Sequence, residues 1–371
     1  MRATRSRSAG KVAGILGVHA PSKVSKANPK ANPKAVKQAN TGALENASIP
    51  PKNSETSVLS SPSTSNGNNS VKLPRSPSKA SSKASSRPHI EQAFAHILTP
   101  PNLELPSDFV HYHTPEFVEA IKHVLRIDSS LYPAVAYGNF EAFARETGLP
   151  EPRGPDLITH YWYSLISSVI SQQVSGTAAK AIKSRFTDLF AGSPTPKDAL
   201  NIPLDTLKAV GLSRMKVKYV VHISQVFSDP ESNLTSVDFY KNSSTQDLIA
   251  ELTKLNGIGE WSANMFAVFT LKELDVFAYD DLGVARGVAR YLQVRPHLLE
   301  ETKAGVHAVE ELKARLKRKS KFHSDKSKRD WTPVHDEYVK FLALKFEPFR
   351  TAFMLVMWRL SSTNIDVLEK K

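Results

Sequence analysis

Cysteine is absent from the 371 residues. Disulfides, thiolate zinc sites and thiolate-held iron–sulfur clusters are therefore excluded. Long apolar runs are missing too. Nothing approaches the roughly 18–20 apolar residues that span a bilayer, so no membrane partner is expected. The first 90 residues contain no Trp, Tyr or Phe, and their only acids are Glu45 and Glu55, against 15 Lys and Arg.

That imbalance locates the charge. The formal excess of +13 sits wholly in residues 1–90, because 91–371 carries 34 basic and 34 acidic side chains. The same segment is rich in Ser, Pro, Asn and Lys, and repeats itself as Lys26-Ala-Asn-Pro-Lys30-Ala-Asn-Pro-Lys34. Such a chain buries too little apolar surface to offset its conformational entropy, so 1–90 is expected to be a disordered basic arm. A basic arm suits a polyanion such as nucleic acid, and equally a solubilising tail or a targeting address. Arg2, Arg5, Arg7 and Lys11, with no acid nearby, fit a nuclear signal or a mitochondrial presequence. The nucleus is the expected location, with a mitochondrial fraction left open.

From about His89 onward the apolar pattern is helical. Ile158, Trp162, Leu165, Ile166, Val169 and Ile170 share a helix face, as do Ala178, Ile182, Phe186, Leu189 and Phe190. Leu248, Ile249, Leu252 and Leu255 follow a start signal made by Ser244 and Asp247. Trp261, Met265, Phe266 and Phe269 mark a further helix, and no sustained strand alternation occurs. Residues 91–371 should therefore form one all-α domain. The stretch 90–155 is short and carries helical patterns at 114–125 and 139–146, which leaves no room for a β domain ahead of it.

Between the last two helices lies Leu255-Asn256-Gly257-Ile258-Gly259. Two glycines one residue apart allow a turn too tight for a Cβ, and leave the next helix's first amides open to a phosphate. Read alone, the fragment is equally a plain tight loop. Twenty positions beyond Trp261 stand two acids, Asp280 and Asp281, in Val276-Phe-Ala-Tyr-Asp-Asp-Leu-Gly-Val284. Taken alone, the pair would suit a helix N-terminus.

Hairpin and acids together resemble the helix–hairpin–helix superfamily of DNA glycosylases. Ile170-Ser-Gln-Gln-Val-Ser175 resembles that superfamily's strand-penetrating loop. Pro348-Phe-Arg-Thr-Ala352 and Trp358-Arg-Leu-Ser-Ser-Thr-Asn364 resemble its alkylation-repair branch, the 3-methyladenine DNA glycosylases of the budding-yeast kind. The resemblance covers roughly 110–371 and implies a two-lobed all-α core, with the hairpin at 245–270.

It also implies roles. Asp281 matches the catalytic carboxylate, with Asp280 in support or opening the next helix. A carboxylate at the anomeric carbon would stabilise an oxocarbenium-like sugar and orient water. Trp261 stands where lyase relatives carry lysine, so a monofunctional enzyme is expected. Trp261 and Trp358 would line the base pocket, where an indole face suits a cationic alkylated purine. Met265 replaces a pocket tyrosine of some relatives. Gln173 would fill the gap left by the flipped nucleotide. Gly257, Gly259 and Ser262 would offer amides to phosphate, and the carbonyls of Thr253, Leu255 and Ile258 would hold a monovalent cation. No other cofactor is expected. The implied partner is double-stranded DNA with alkylated bases, bound by a monomer. An oxidised-purine or mismatch glycosylase and a non-catalytic damage binder are the rival readings. The run 313–329, with nine basic residues against Asp325, reads as a phosphate contact, a solvated loop or part of an import signal.

Overall fold

Two of the described helices begin where the sequence sets a capping threonine directly ahead of a proline. In the computed structural model, which describes residues 94, 96–145, 153–322 and 330–362, Thr114 accepts the Phe117 amide and Pro115 opens the helix it caps. The arm expected over 1–90 lies outside the described residues. α1 (Ser107–Tyr112) leads into α2 (Pro115–Ile127) and α3 (Tyr132–Ala136). The chain then builds α4 (Pro155–Ser171), α5 (Gly176–Thr187), α6 (Pro196–Asn201), α7 (Leu204–Ala209) and α8 (Arg214–Val226). α9 (Val237–Asn242), α10 (Thr245–Leu252) and α11 (Glu260–Phe269) follow. α12 (Leu282–Gln293), α13 (Pro296–Ala308), α14 (Glu310–Arg315), α15 (Asp336–Ala343) and α16 (Arg350–Ser361) complete the described helices. Among the described residues the sole β feature is one bridge, His113 to Ala144.

Two apolar cores make two lobes. One is built within α4–α11 around Trp162, Leu165, Phe186, Val220 and Leu248. The Trp162 indole N–H is satisfied there by Ser224 Oγ at 3.0 Å. The other joins α1–α3 to α12, α15 and α16 around Phe117, Ile121, Val288, Tyr291, Phe346 and Phe353. α11 serves both: Ala263 and Phe266 face the first core, Ala267 and Val268 the second. The hairpin helix therefore fixes the angle between the lobes.

α12 and α16 lie against one another at backbone distance. A Cβ on Gly287 would sit 1.9 Å from the Met357 carbonyl oxygen, so only glycine fits. Arg359, 8% exposed, ties α16 to the N-terminal helices by donating to the carbonyls of Ala134, Val135 and Asn139. Burial pulls its guanidinium down to about 10.

One expected helix does not form. Within 139–145, the described part of that stretch, there is a single 3-10 turn, Glu141–Phe143. Its neighbours bond sideways instead: Phe140 N–H donates to His113 Nε2 at 2.8 Å, and Arg145 N–H to the Tyr112 carbonyl at 2.8 Å. Those long-range partners replace the local ladder that a helix requires.

Candidate active site

The hairpin starts on a reciprocal cap, since Ser244 Oγ accepts from the Asp247 amide and donates to its carboxylate. After α10 the chain turns through Gly257, whose φ of 88° is left-handed and whose Cβ would lie 2.4 Å from Tyr219 Cδ2. Gly257 is thus required twice over. Gly259 differs from expectation. Its φ is −91°, which any residue adopts, and open space surrounds its missing Cβ. What Gly259 supplies is bareness: as the N-cap of α11 it brings no side-chain acceptor to the first-turn amides, and it is exposed. Ser262, one turn in, is buried.

Residues 273–281 are laid along one face of α16. Arg350 grips Asp275 with Nε–Oδ1 at 2.7 Å and Nη2–Oδ2 at 3.0 Å. Thr351 Oγ1 accepts the Val276 amide at 2.9 Å, and Met354 Sδ accepts the Ala278 amide at 3.3 Å. Trp358 Nε1–H then donates to Asp281 Oδ1 at 2.7 Å. Thr351, Met354 and Trp358 are spaced i, i+3 and i+7, so one helix stripe pins successive residues of the segment.

Asp281 ends that segment and starts α12. Its Oδ1 also accepts the Val284 amide at 2.9 Å, while Oδ2 accepts from Trp261 Nε1–H at 2.9 Å. Capping and site geometry coincide in one side chain. A carboxylate has about four lone-pair positions, and three are filled, leaving one free on Oδ2. Gly283 makes room for this, because a Cβ there would lie 2.8 Å from Trp358 Cδ1 and 3.0 Å from Asp281 Oδ1.

Both tryptophans thus turn their N–H edges toward the acid. Trp261 remains 42% exposed, so its face is open. Trp358 stacks parallel on Phe269, with centroids 5.8 Å apart and planes within 2°. Phe269 is itself exposed, an aromatic beside the carboxylate that sequence reasoning took only as a helix position. Met265 is half-buried and packs on the second core.

The loop after α4 approaches the hairpin. Gln173 is exposed with φ 56°, a conformation that side chains avoid and that marks strain held from outside. Two neighbours hold it. Gln172 Nε2 donates to the Gly257 carbonyl at 2.8 Å, and Lys216 Nζ donates to the carbonyls of Ile170 at 2.8 Å and Gln172 at 2.6 Å. Burial lowers the Lys216 ammonium from its ordinary value. Neither Gln172 nor Lys216 was legible as a site residue, since their partners are backbone atoms far along the chain.

A family model described as HhH-GPD superfamily base excision DNA repair protein matches residues 166–319. A DNA-3-methyladenine glycosylase of Saccharomyces cerevisiae is 32% identical over 277 residues, covering 73% of this chain and 88% of that protein. The chain belongs to the DNA-3-methyladenine glycosylase family. A DNA-3-methyladenine glycosylase 1 of Schizosaccharomyces pombe is 31% identical over 36% of this chain and 58% of its own length. A solved DNA-3-methyladenine glycosidase of Bacillus halodurans aligns at TM-score 0.46 and 23% identity, over 69% of this chain and 92% of that one.

Within this family member Asp280 does not open α12. Its Oδ2 and its carbonyl both accept from Lys321 Nζ, each at 3.0 Å. Lys321 lies in the basic run 313–329, so at least this member of the run is docked on Asp280 rather than solvated. Arg290 shows a second use of basic residues here, donating to the carbonyls of Leu360, Ser361 and Ser362 at the end of α16.

Proposed function

We propose that this chain is a monofunctional DNA glycosylase of base-excision repair. It hydrolyses the N-glycosidic bond of alkylated purines, 3-methyladenine and 7-methylguanine among them, and leaves an abasic site. One observation carries the reading: the Asp281 carboxylate is clamped at the base of α12 by two indole N–H groups, beside a phosphate-ready hairpin. The clamp leaves one lone pair of Oδ2 for the reacting centre. As the base departs, positive charge grows at the anomeric carbon and a fixed anion there stabilises it without reorganising. The same oxygen can orient the attacking water.

Alkylated purines leave readily because ring alkylation makes them cationic. The open face of Trp261 and the Trp358–Phe269 stack offer aromatic surface to such a base. Gln173, held in its strained turn, would occupy the vacated stack in double-stranded DNA. The α11 N-terminus would receive a backbone phosphate, and the carbonyls of Thr253, Leu255 and Ile258 would hold a monovalent cation that strengthens this contact. The Leu255 carbonyl, which accepts the Ile258 amide at 3.1 Å, keeps a second lone pair for such an ion. Action on DNA supports a nuclear location, with a mitochondrial fraction left open. Release of 3-methyladenine and 7-methylguanine from methylated duplex, compared between the native chain and Asp281→Asn, tests the reading. Undiminished release by the variant, or a borohydride-trapped protein–DNA adduct, would overturn it.

A further inference from the structure

We propose that Lys321 is a positioning residue for the acid-bearing turn at 279–281, acting through Asp280. The inference rests on the reading of Asp281 as the catalytic group. Two contacts place it. The Lys321 ammonium donates to both the carbonyl and Oδ2 of Asp280, each at 3.0 Å. Oδ1 of Asp280 is buried and, among the described residues, has no hydrogen-bond partner. Lys321 is therefore the side chain that compensates a carboxylate whose other oxygen is already stranded, and it reaches the backbone of the residue before Asp281.

The lysine is itself anchored. Three residues earlier, the Arg318 guanidinium pairs with Asp336 and Glu337, whose side chains are 5% and 3% exposed. The Arg318 carbonyl meets His335 Nε2 at 2.9 Å. One residue later, the Phe322 ring packs edge-on against Trp331 at 6.4 Å. The same acids tether a second lysine. Lys340 bonds Glu337 at 3.0 Å and sits 3.9 Å over the ring of Tyr279. Lysines thus grip Tyr279 and Asp280 from two elements fixed to one acidic pair, and Asp281 is next in the chain. A lysine committed to two oxygens of Asp280 is spent on the turn rather than offered to phosphate. Within the run 313–329, Lys321 therefore serves geometry at the site.

The test uses the full chain with Lys321→Met, which keeps length and removes charge, and Lys321→Arg. Lys321 is 53% exposed, so both substitutions are compatible with folding. Base release from methylated duplex is followed under single-turnover conditions across enzyme concentrations. The expected result for Lys321→Met is a saturated rate lower by about 10-fold, about 1.4 kcal/mol of activation free energy, with half-saturation nearly unchanged. Lys321→Arg should recover most of the loss. In parallel, the indole N–H resonances of Trp261 and Trp358, which report directly on the Asp281 carboxylate, should move in Lys321→Met. Unmoved resonances with an unchanged saturated rate would overturn the proposal. So would a weaker half-saturation at full rate, the signature of a phosphate contact, or equal losses in both variants. Should the native chain release no base, the reading of Asp281 falls, and the indole resonances still decide whether Lys321 positions the turn.

Discussion

Trp358→Phe separates two uses of one side chain. Phenylalanine keeps an aromatic face to lie against Phe269 but lacks the N–H that donates to Asp281 Oδ1 at 2.7 Å. Hydrogen bonds to charged acceptors contribute about 1.5–3 kcal/mol, and each 1.4 kcal/mol is tenfold in rate, so a loss of about 10- to 150-fold follows if the bond holds the carboxylate in its reactive pose. The lower part of that range is favoured, because the Val284 amide still holds the same oxygen at 2.9 Å. Trp261→Phe should cost less, since its indole is 42% exposed and water can replace the lost donor. The double variant should exceed the product of the two, because Asp281 would retain the Val284 amide alone of its three donors. The assay is release of 3-methyladenine from methylated duplex with enzyme in excess. A Trp358→Phe rate within twofold of native would refute the clamp and leave the ring face as the whole contribution.

Asp281→Asn should retain its helix cap and abolish turnover. The amide oxygen can still accept from Val284, yet the NH2 group meets the Trp261 N–H donor to donor; circular dichroism melting and base release read the two effects separately. Gly287→Ala should destabilise by more than about 3 kcal/mol in denaturant titration, because the new methyl overlaps the Met357 carbonyl and the helices must part. Acid should weaken the fold through His113. Burial depresses its imidazole, and its Nε2 accepts the Phe140 amide, so the unfolded chain binds the proton more readily. Its contribution is full above the ordinary value of 6.5 and is lost as pH falls below it, and His113→Gln should flatten the fall in melting temperature between neutral and mildly acid pH. Gln173→Ala should slow excision from paired duplex more than excision opposite an abasic gap; equal slowing would remove the wedge role.

Periodicity, caps and punctuation made α2, α4, α5, α10 and α11 legible in the sequence. The hairpin start at Ser244, the helix from Trp261 and the cap-compatible acids were all legible because each depends on residues within one or two turns. The described part of 139–146 failed for the complementary reason. Its apolar spacing is helical, but its amides find partners near His113, over 25 positions away. The demand for glycine at 259 in the tight turn was misplaced similarly, since a glycine pair says nothing about which member needs positive φ.

The sequence by itself determined the absence of thiol chemistry and the all-helical pattern of the core, and its motifs nominated Asp281 as the acid to propose. Only the tertiary structure decided what that acid touches. Trp261 and Trp358 sit on helices 97 positions apart, and no local pattern shows that both indole edges converge on one carboxylate. The stripe on α16 that pins 275–281, the grip of Lys216 behind Gln173 and the reach of Lys321 to Asp280 share that origin. Each is a hydrogen bond between distant segments, often to backbone atoms that every residue possesses. Such bonds are fixed by how distant segments pack within each lobe, and composition leaves no trace of them.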